Sequence, residues 1–197
     1  MNIIIIGSGG HAKVVKDLAE QLNYQIIAVC DPNDENKNKG CWKNIKFYNH
    51  ESDLQQYDVK KVFIANGVGH MPKNHSSRNK IFIRLMSMGF SFPVLIHPSA
   101  YVSKDTKLYD GVQVMAGSII QPGCIIKENT IINTSCSVDH DSIIGGNVHI
   151  APGCTLCGNV QIGKNSFIGC GSTIIQSVVL KNDSFIKAGS VVVKNNI

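Results

Sequence analysis

From Val102 onward an aliphatic residue recurs at every sixth position, through Leu108, Val114, Ile120, Ile126 and Ile132 and on to Ile186 and Val192, with no slip or insertion. Four residues after each aliphatic position, from Thr106 to Ser190, stands a small or β-branched residue such as Ser118, Cys124, Cys136 or Val148. A sustained six-residue period is the mark of a parallel β-helix, in which each hexapeptide forms one flat side of a triangular coil and three complete a turn. The aliphatic residue points inward and stacks on its equivalents in the coils above and below. The small residue sits where the corner narrows. Before it the chain needs a left-handed backbone, which Gly111, Gly117, Gly123, Asn129, Asn147, Gly153, Asn159, Asn165, Gly171, Asn182 and Gly189 are expected to supply.

The first half follows another pattern. Asn2–Ile6 reads as a buried strand, Gly7-Ser8-Gly9-Gly10 as a turn, and His11 to about Leu22 as a helix with Val14, Val15, Leu18, Ala19 and Leu22 on one side. Further strands are expected over 24–31, 59–66 and 90–96, and a second helix over 78–89 with Ile81, Leu85 and Met88 on one face. Strand and helix in alternation predict a small parallel sheet flanked by helices. The chain therefore divides into a Rossmann-like α/β domain over residues 1–96 and a β-helix over 97–197.

Composition narrows the function. Hydrophobic residues make up 43% and charged residues 17% of the 197, an ordinary globular balance. The net charge of +5 is not gathered into a patch: Lys37, Lys39, Lys43 and Lys46 alternate with Asp34, Glu35 and asparagines, as in a solvated loop. Nucleic acid is not the expected partner. No apolar run reaches the ~18–20 residues that span a bilayer, and no basic segment precedes Ile3–Ile6 as in a signal peptide. A cytoplasmic protein with seven reduced thiols is expected.

His140, two residues beyond inward Val138, should point outward, where a neutral imidazole could take a proton near pH 7. On position alone it could equally be an exposed corner histidine; Asp139 and Asp141 flank it as candidate partners. The glycine turn after the first strand opens a helix, and bare N–H groups there suit phosphate oxygens. Gly7, Gly9 and Ala12 with Asp31 downstream also fit a dinucleotide-type fingerprint, although the half-domain is too small for a full dinucleotide fold. Cys154 and Cys157 form a C-x-x-C, but Cys154 fills a small-residue position of the repeat, so the repeat accounts for it without a metal.

The glycine turn with His11, then His97-Pro98-Ser99-Ala100, Asn133-Thr134-Ser135 and Val138-Asp139-His140-Asp141, resemble the sialic acid O-acetyltransferase and UDP-amino-sugar N-acetyltransferase family over nearly the whole chain. The resemblance implies a left-handed β-helix and an acetyl-CoA-dependent N-acetyltransferase acting on a UDP-4-amino-4,6-dideoxy sugar, with sialic-acid-type O-acetylation as the alternative. It implies His140 as general base, supported by Asp141 where the family usually has glutamate. It places Gly9, Gly10 and His11 on a nucleotide-sugar diphosphate, Asp31 on the base or ribose, Gly67 in the pocket lining and Asn133 near the sugar amine. His149 would contact acetyl-CoA, with Gly158, Cys170 and Ala188 cradling the cofactor through main-chain amides. It further implies a homotrimer without metal, with acetyl-CoA between neighbouring prisms. A nucleotide-dependent oxidoreductase, a β-helix zinc enzyme and a non-catalytic nucleotide-sugar binder are the other readings; residues 67–78 are a candidate substrate-covering loop.

Overall fold

Residues 1–69 and 76–195 are described by the computed structural model of the protein, and they divide into two units, one of residues 1–69 and 76–93 and one of residues 94–195. In the first unit, β1 (Asn2–Ile6), β2 (Gln25–Cys30), β3 (Lys46–Tyr48) and β4 (Val62–Asn66) form a parallel sheet in the order β3-β2-β1-β4. The central strand explains the isoleucine run: Ile3, Ile4, Ile5 and Ile6 are all buried, as a parallel strand covered on both faces requires. Helix α1 (Gly10–Gln21) buries Ala12, Val15, Leu18 and Ala19. Val14, expected on that side, is exposed, and Ala12, one turn before Val15, takes an inward place. Helix α2 spans Ser76–Ser87 and buries Phe82 and Leu85.

Two expectations are corrected here. The strand expected over 90–96 is not continuous. Ser91 makes only a bridge to Phe63, while Leu95–Ile96 is the first strand of the β-helix, paired with Gln113–Val114. Pro93 separates the two pieces, since it cannot donate to a ladder. Strand β3 was not expected, because three residues carry too little periodicity.

The second unit is a left-handed β-helix of two-residue strands stacked into three parallel sheets. The first face runs from Leu95–Ile96 to Phe185–Ile186, the second from Tyr101–Val102 to Val191–Val192, and the third from Lys107–Leu108 to Val179–Leu180. Partners differ by 18 residues wherever strands pair, as in Ile126↔Ile144 and Ile132↔Ile150. Each hexapeptide is thus one side and three are one coil. The inward residues, from Val114 to Leu180, form one continuous core. Burying each such side chain contributes about 1.5–3 kcal/mol.

The corner chemistry is more specific than small size. Buried Ser118 Oγ, Thr130 Oγ1 and Ser172 Oγ each donate to the carbonyl fifteen residues later, at 2.7, 2.9 and 2.9 Å. Cys136 and Cys154 thiols do the same at 3.1 Å, which is why serine and cysteine interchange in this row. Every sixth residue from Gly111 to Gly189 has φ between +55° and +77°. The left-handed position after Ser177 is Asp183, not the expected Asn182, and Ser135, Asp141 and Ser177 complete the series. At one corner the residues form a ladder: Asn129 donates to Asn147, Asn147 to Asn165 and Asn165 to Asp183, at 3.0–3.1 Å.

Candidate functional site

The turn after β1 is held from beneath by Asp31. Its Oδ2 accepts from Ser8 N at 2.6 Å and from Ser8 Oγ at 2.7 Å, and its Oδ1 accepts from Asn33 N. The Ser8 carbonyl accepts from Trp42 Nε1 at 3.0 Å and from Asn36 Nδ2 at 3.3 Å. Ser8 is thereby buried and fixed, while Gly9 and Gly10 are exposed. Among the described residues, a Cβ on either glycine would meet nothing within 4 Å, and Gly9 has an ordinary φ of −74°. Among the described residues, neither packing nor backbone conformation therefore demands glycine at these positions. What glycine provides is bare main chain at the N-terminus of α1, with His11 in the first turn.

Gly67 is different. A Cβ there would come within 2.7 Å of both Ala12 Cβ and the Ile6 carbonyl, so its glycine lets β4 pass α1 closely. The segment around it is braced by Arg78, whose buried Nη1 donates to the carbonyls of Asn66 and Val68 at 2.8 Å. Burial lowers the guanidinium pKa to about 9. The candidate covering loop over 67–78 includes residues 70–75, which lie outside the described residues.

In the β-helix, His140 stands at the corner between the second and third faces, next to Asp141 in the left-handed position (φ +58°). His140 Nδ1 donates to Asp141 Oδ2 at 2.8 Å, and both side chains are exposed. Asp139 accepts from the His140 backbone N–H instead, at 2.8 Å, so one aspartate holds the main chain and the other the ring. The Asp141 hydrogen bond first, and the Asp139 and Asp141 charges after it, raise the imidazole pKa. With Nδ1 as donor, the lone pair is on Nε2. One coil on, Gly158 lies against that ring: a Cβ there would stand 2.6 Å from Nε2 and 2.7 Å from Cε1.

A second group gathers on the first face and on the corner that follows it. Asn133 Nδ2 donates to Nε2 of the buried His149 at 3.1 Å, and Phe167 meets the His149 ring edge-on with centroids 5.1 Å apart. Cys170 and Ala188 stack 18 residues apart along the same corner, both exposed. The His140 corner joins the second and third faces, so the first face is the side of the prism opposite it. Within one chain the structure brings His140, Asp141 and Gly158 together, and Asn133 with His149, but not the two groups with each other. Among the described residues, no three His, Cys, Asp or Glu side chains gather as a metal-binding group.

The N-terminal residues 2–85 match the model of the PglD N-terminal domain, and residues 159–194 match the bacterial transferase hexapeptide model of six repeats. The acetyltransferase domain of PglB from Neisseria gonorrhoeae FA1090, solved in complex with acetyl coenzyme A, is 33% identical, with a TM-score of 0.88; the match covers 98% of this chain and 91% of that one. The chain belongs to the PglD-type hexapeptide acetyltransferases. PerB from Caulobacter crescentus, solved with CoA and GDP-perosamine, is 31% identical to this PglD-type chain, with a TM-score of 0.88 over 99% of it and 90% of PerB. The UDP-N-acetylbacillosamine N-acetyltransferase of Bacillus subtilis (strain 168) is 32% identical over 128 residues, 58% of this chain. The match spans about half, 51%, of that curated relative.

Two residues that shape these groups, Trp42 and Phe167, were not singled out from sequence. Trp42 fixes Ser8 from 34 positions away, and no local pattern signals that. Phe167 follows from the coil register alone, being 18 residues after His149.

Proposed function

We propose that the protein transfers the acetyl group of acetyl-CoA to the amine of a nucleotide-linked amino sugar of the UDP-4-amino-4,6-dideoxy type, in bacterial surface glycan or glycoprotein synthesis. The observation that carries this reading is the His140–Asp141 pair on an exposed corner of a hexapeptide β-helix. Relatives solved with acetyl-CoA, and with CoA and GDP-perosamine, support it.

Asp141 holds the Nδ1 proton and orients the ring, so Nε2 accepts the proton of the sugar amine as its nitrogen attacks the thioester carbonyl. The new C–N bond forms as the C–S bond breaks, and the departing CoA sulfur takes up the proton from His140. No covalent enzyme intermediate and no metal is invoked; holding the two substrates together supplies the proximity contribution, and backbone amides stabilise the oxyanion. Gly9, Gly10 and His11 receive the sugar-nucleotide diphosphate. Asp31 serves that site through Ser8, and Gly67 borders it. Asn133 lies near the amine, and His149, Gly158, Cys170 and Ala188 hold acetyl-CoA.

The opposition of the His140 corner and the Asn133–His149 face supports a homotrimer in which one copy supplies the base, with Gly158 beside it, and its neighbour supplies Asn133, His149, Cys170 and Ala188, acetyl-CoA lying between the two. No helix among the described residues is long and apolar enough to cross a membrane, and all seven cysteines are free thiols; these support a cytoplasmic site of action, where acetyl-CoA is available.

The test is thiol release from acetyl-CoA with UDP- and GDP-linked 4-amino-4,6-dideoxy sugars, comparing the parent with His140→Ala. Release that falls by ~10²–10⁴-fold in the variant is expected. Turnover of sialic acid without turnover of either amino sugar would transfer the activity to O-acetylation. A mixed assembly of His140→Ala and His149→Ala chains that recovers part of the lost activity would support the shared site.

A further inference from the structure

We infer that Gly123 is a positioning residue for the His140–Asp141 pair, its missing side chain providing the space in which the Asp141 carboxylate rests. Gly123 lies one coil below Asp141 at the same corner, and both are left-handed, at φ +77° and +58°. Asp141 N donates to the Pro122 carbonyl at 3.0 Å, which ties the two coils together at this point. A Cβ on Gly123 would overlap Asp141 Oδ1 and come within 3.4 Å of its Cγ.

The left-handed backbone does not by itself explain the glycine. At this same corner Asp141, Asn159 and Ser177 adopt φ of +57° to +60° with side chains in place. At Gly153, φ +70°, a Cβ would meet nothing within 4 Å. Gly123 is distinguished by what occupies its Cβ direction, and that is the carboxylate whose other oxygen bonds His140 Nδ1. Asp141 therefore has glycine beneath it and His140 has Gly158 beside its Nε2, and both clearances follow from the 18-residue register. A side chain at 123 would push the carboxylate off the ring.

The inference rests on His140 being the base, and the experiment separates the two. Gly123→Ala and Gly153→Ala place the same methyl group on similarly left-handed backbone, so both are expected to lose Tm to backbone strain, and Gly123→Ala in addition whatever displacing Asp141 costs. The His140 imidazole is then titrated by NMR, its resonance assigned by its loss in His140→Ala, and kcat and KM are measured with acetyl-CoA and the amino sugar. Gly123→Ala is expected to lower the His140 midpoint toward the ordinary imidazole value and to reduce kcat by about 10–100-fold, with KM for acetyl-CoA little changed. Gly153→Ala is expected to keep the parent midpoint; Asp139, the other charge acting on the ring, is untouched in both variants. In an Asp141→Gly background, Gly123→Ala should have no further effect on the midpoint. A parent-like His140 midpoint in Gly123→Ala would overturn the inference. A lowered midpoint with an unchanged rate would uphold the positioning and overturn His140 as base.

Discussion

Gly158 and His140 share one space: the imidazole Nε2 lies 2.6 Å from where a Cβ on Gly158 would stand. Gly158 is not in the left-handed region, so alanine there carries no backbone strain. The three atoms nearest to the added methyl group all belong to the ring, and the nearest is the nitrogen with the lone pair. Gly158→Ala is expected to fold with a Tm within a few degrees of the parent and to lose ~10²-fold or more in kcat. Steady-state kinetics beside a thermal melt would check it; an unaltered kcat would mean that the ring leaves this position during turnover.

The pH dependence has a definite sign. Asp141 stabilises the imidazolium and raises the His140 pKa, so the neutral base appears at higher pH than for a free imidazole. The rate should rise with pH through that raised midpoint. Asp141→Asn keeps a residue that tolerates left-handed backbone and removes the charge. Its midpoint should move down toward the ordinary histidine range near 6.5, while its ceiling rate falls. Below the parent midpoint, the variant should therefore work at a larger fraction of its own ceiling. A pH–kcat profile of both proteins measures this, and coincident midpoints would remove Asp141 from the role.

Asp31 was expected to meet the nucleotide, yet the structure occupies its carboxylate with Ser8 and Asn33. Asp31→Ala would leave the buried Ser8 N–H and hydroxyl without that acceptor, a loss of about 1–3 kcal/mol. The expected result is a lower Tm for the first unit and weaker nucleotide-sugar binding by calorimetry. Asp31→Asn, which keeps a carbonyl oxygen for Ser8, should recover much of both. If Asp31→Ala weakened binding without any change in Tm, Asp31 would be a direct ligand contact.

The β-helix was legible because its inward row is aliphatic without a gap from Val102 to Val192, so that period and core are one signal. Its corners were less so. Glycine and asparagine announce left-handed backbone, but Ser135, Asp141, Ser177 and Asp183 do not, and Asn182 drew the reading one residue astray. The segment 90–96 has the composition of a strand, and composition cannot say which sheet it joins. His140 and Asp141 were readable as a pair because they are adjacent in sequence. Their relation to Gly158 and Gly123 depends on spacings of +18 and −18, which acquire meaning only once the strands are known to pair at that interval.

The uninterrupted 18-residue register also makes the length of this rod a counted quantity. Each coil adds one strand spacing, ~4.8 Å, along the axis. Excising a whole coil would shorten the prism by that step and leave every downstream inward side chain with an aliphatic neighbour. Excising one residue would turn each later aliphatic position toward water and each later polar position toward the core. Insertions and deletions in this half of the molecule are therefore tolerated by arithmetic rather than by size: eighteen residues are a smaller disturbance than one.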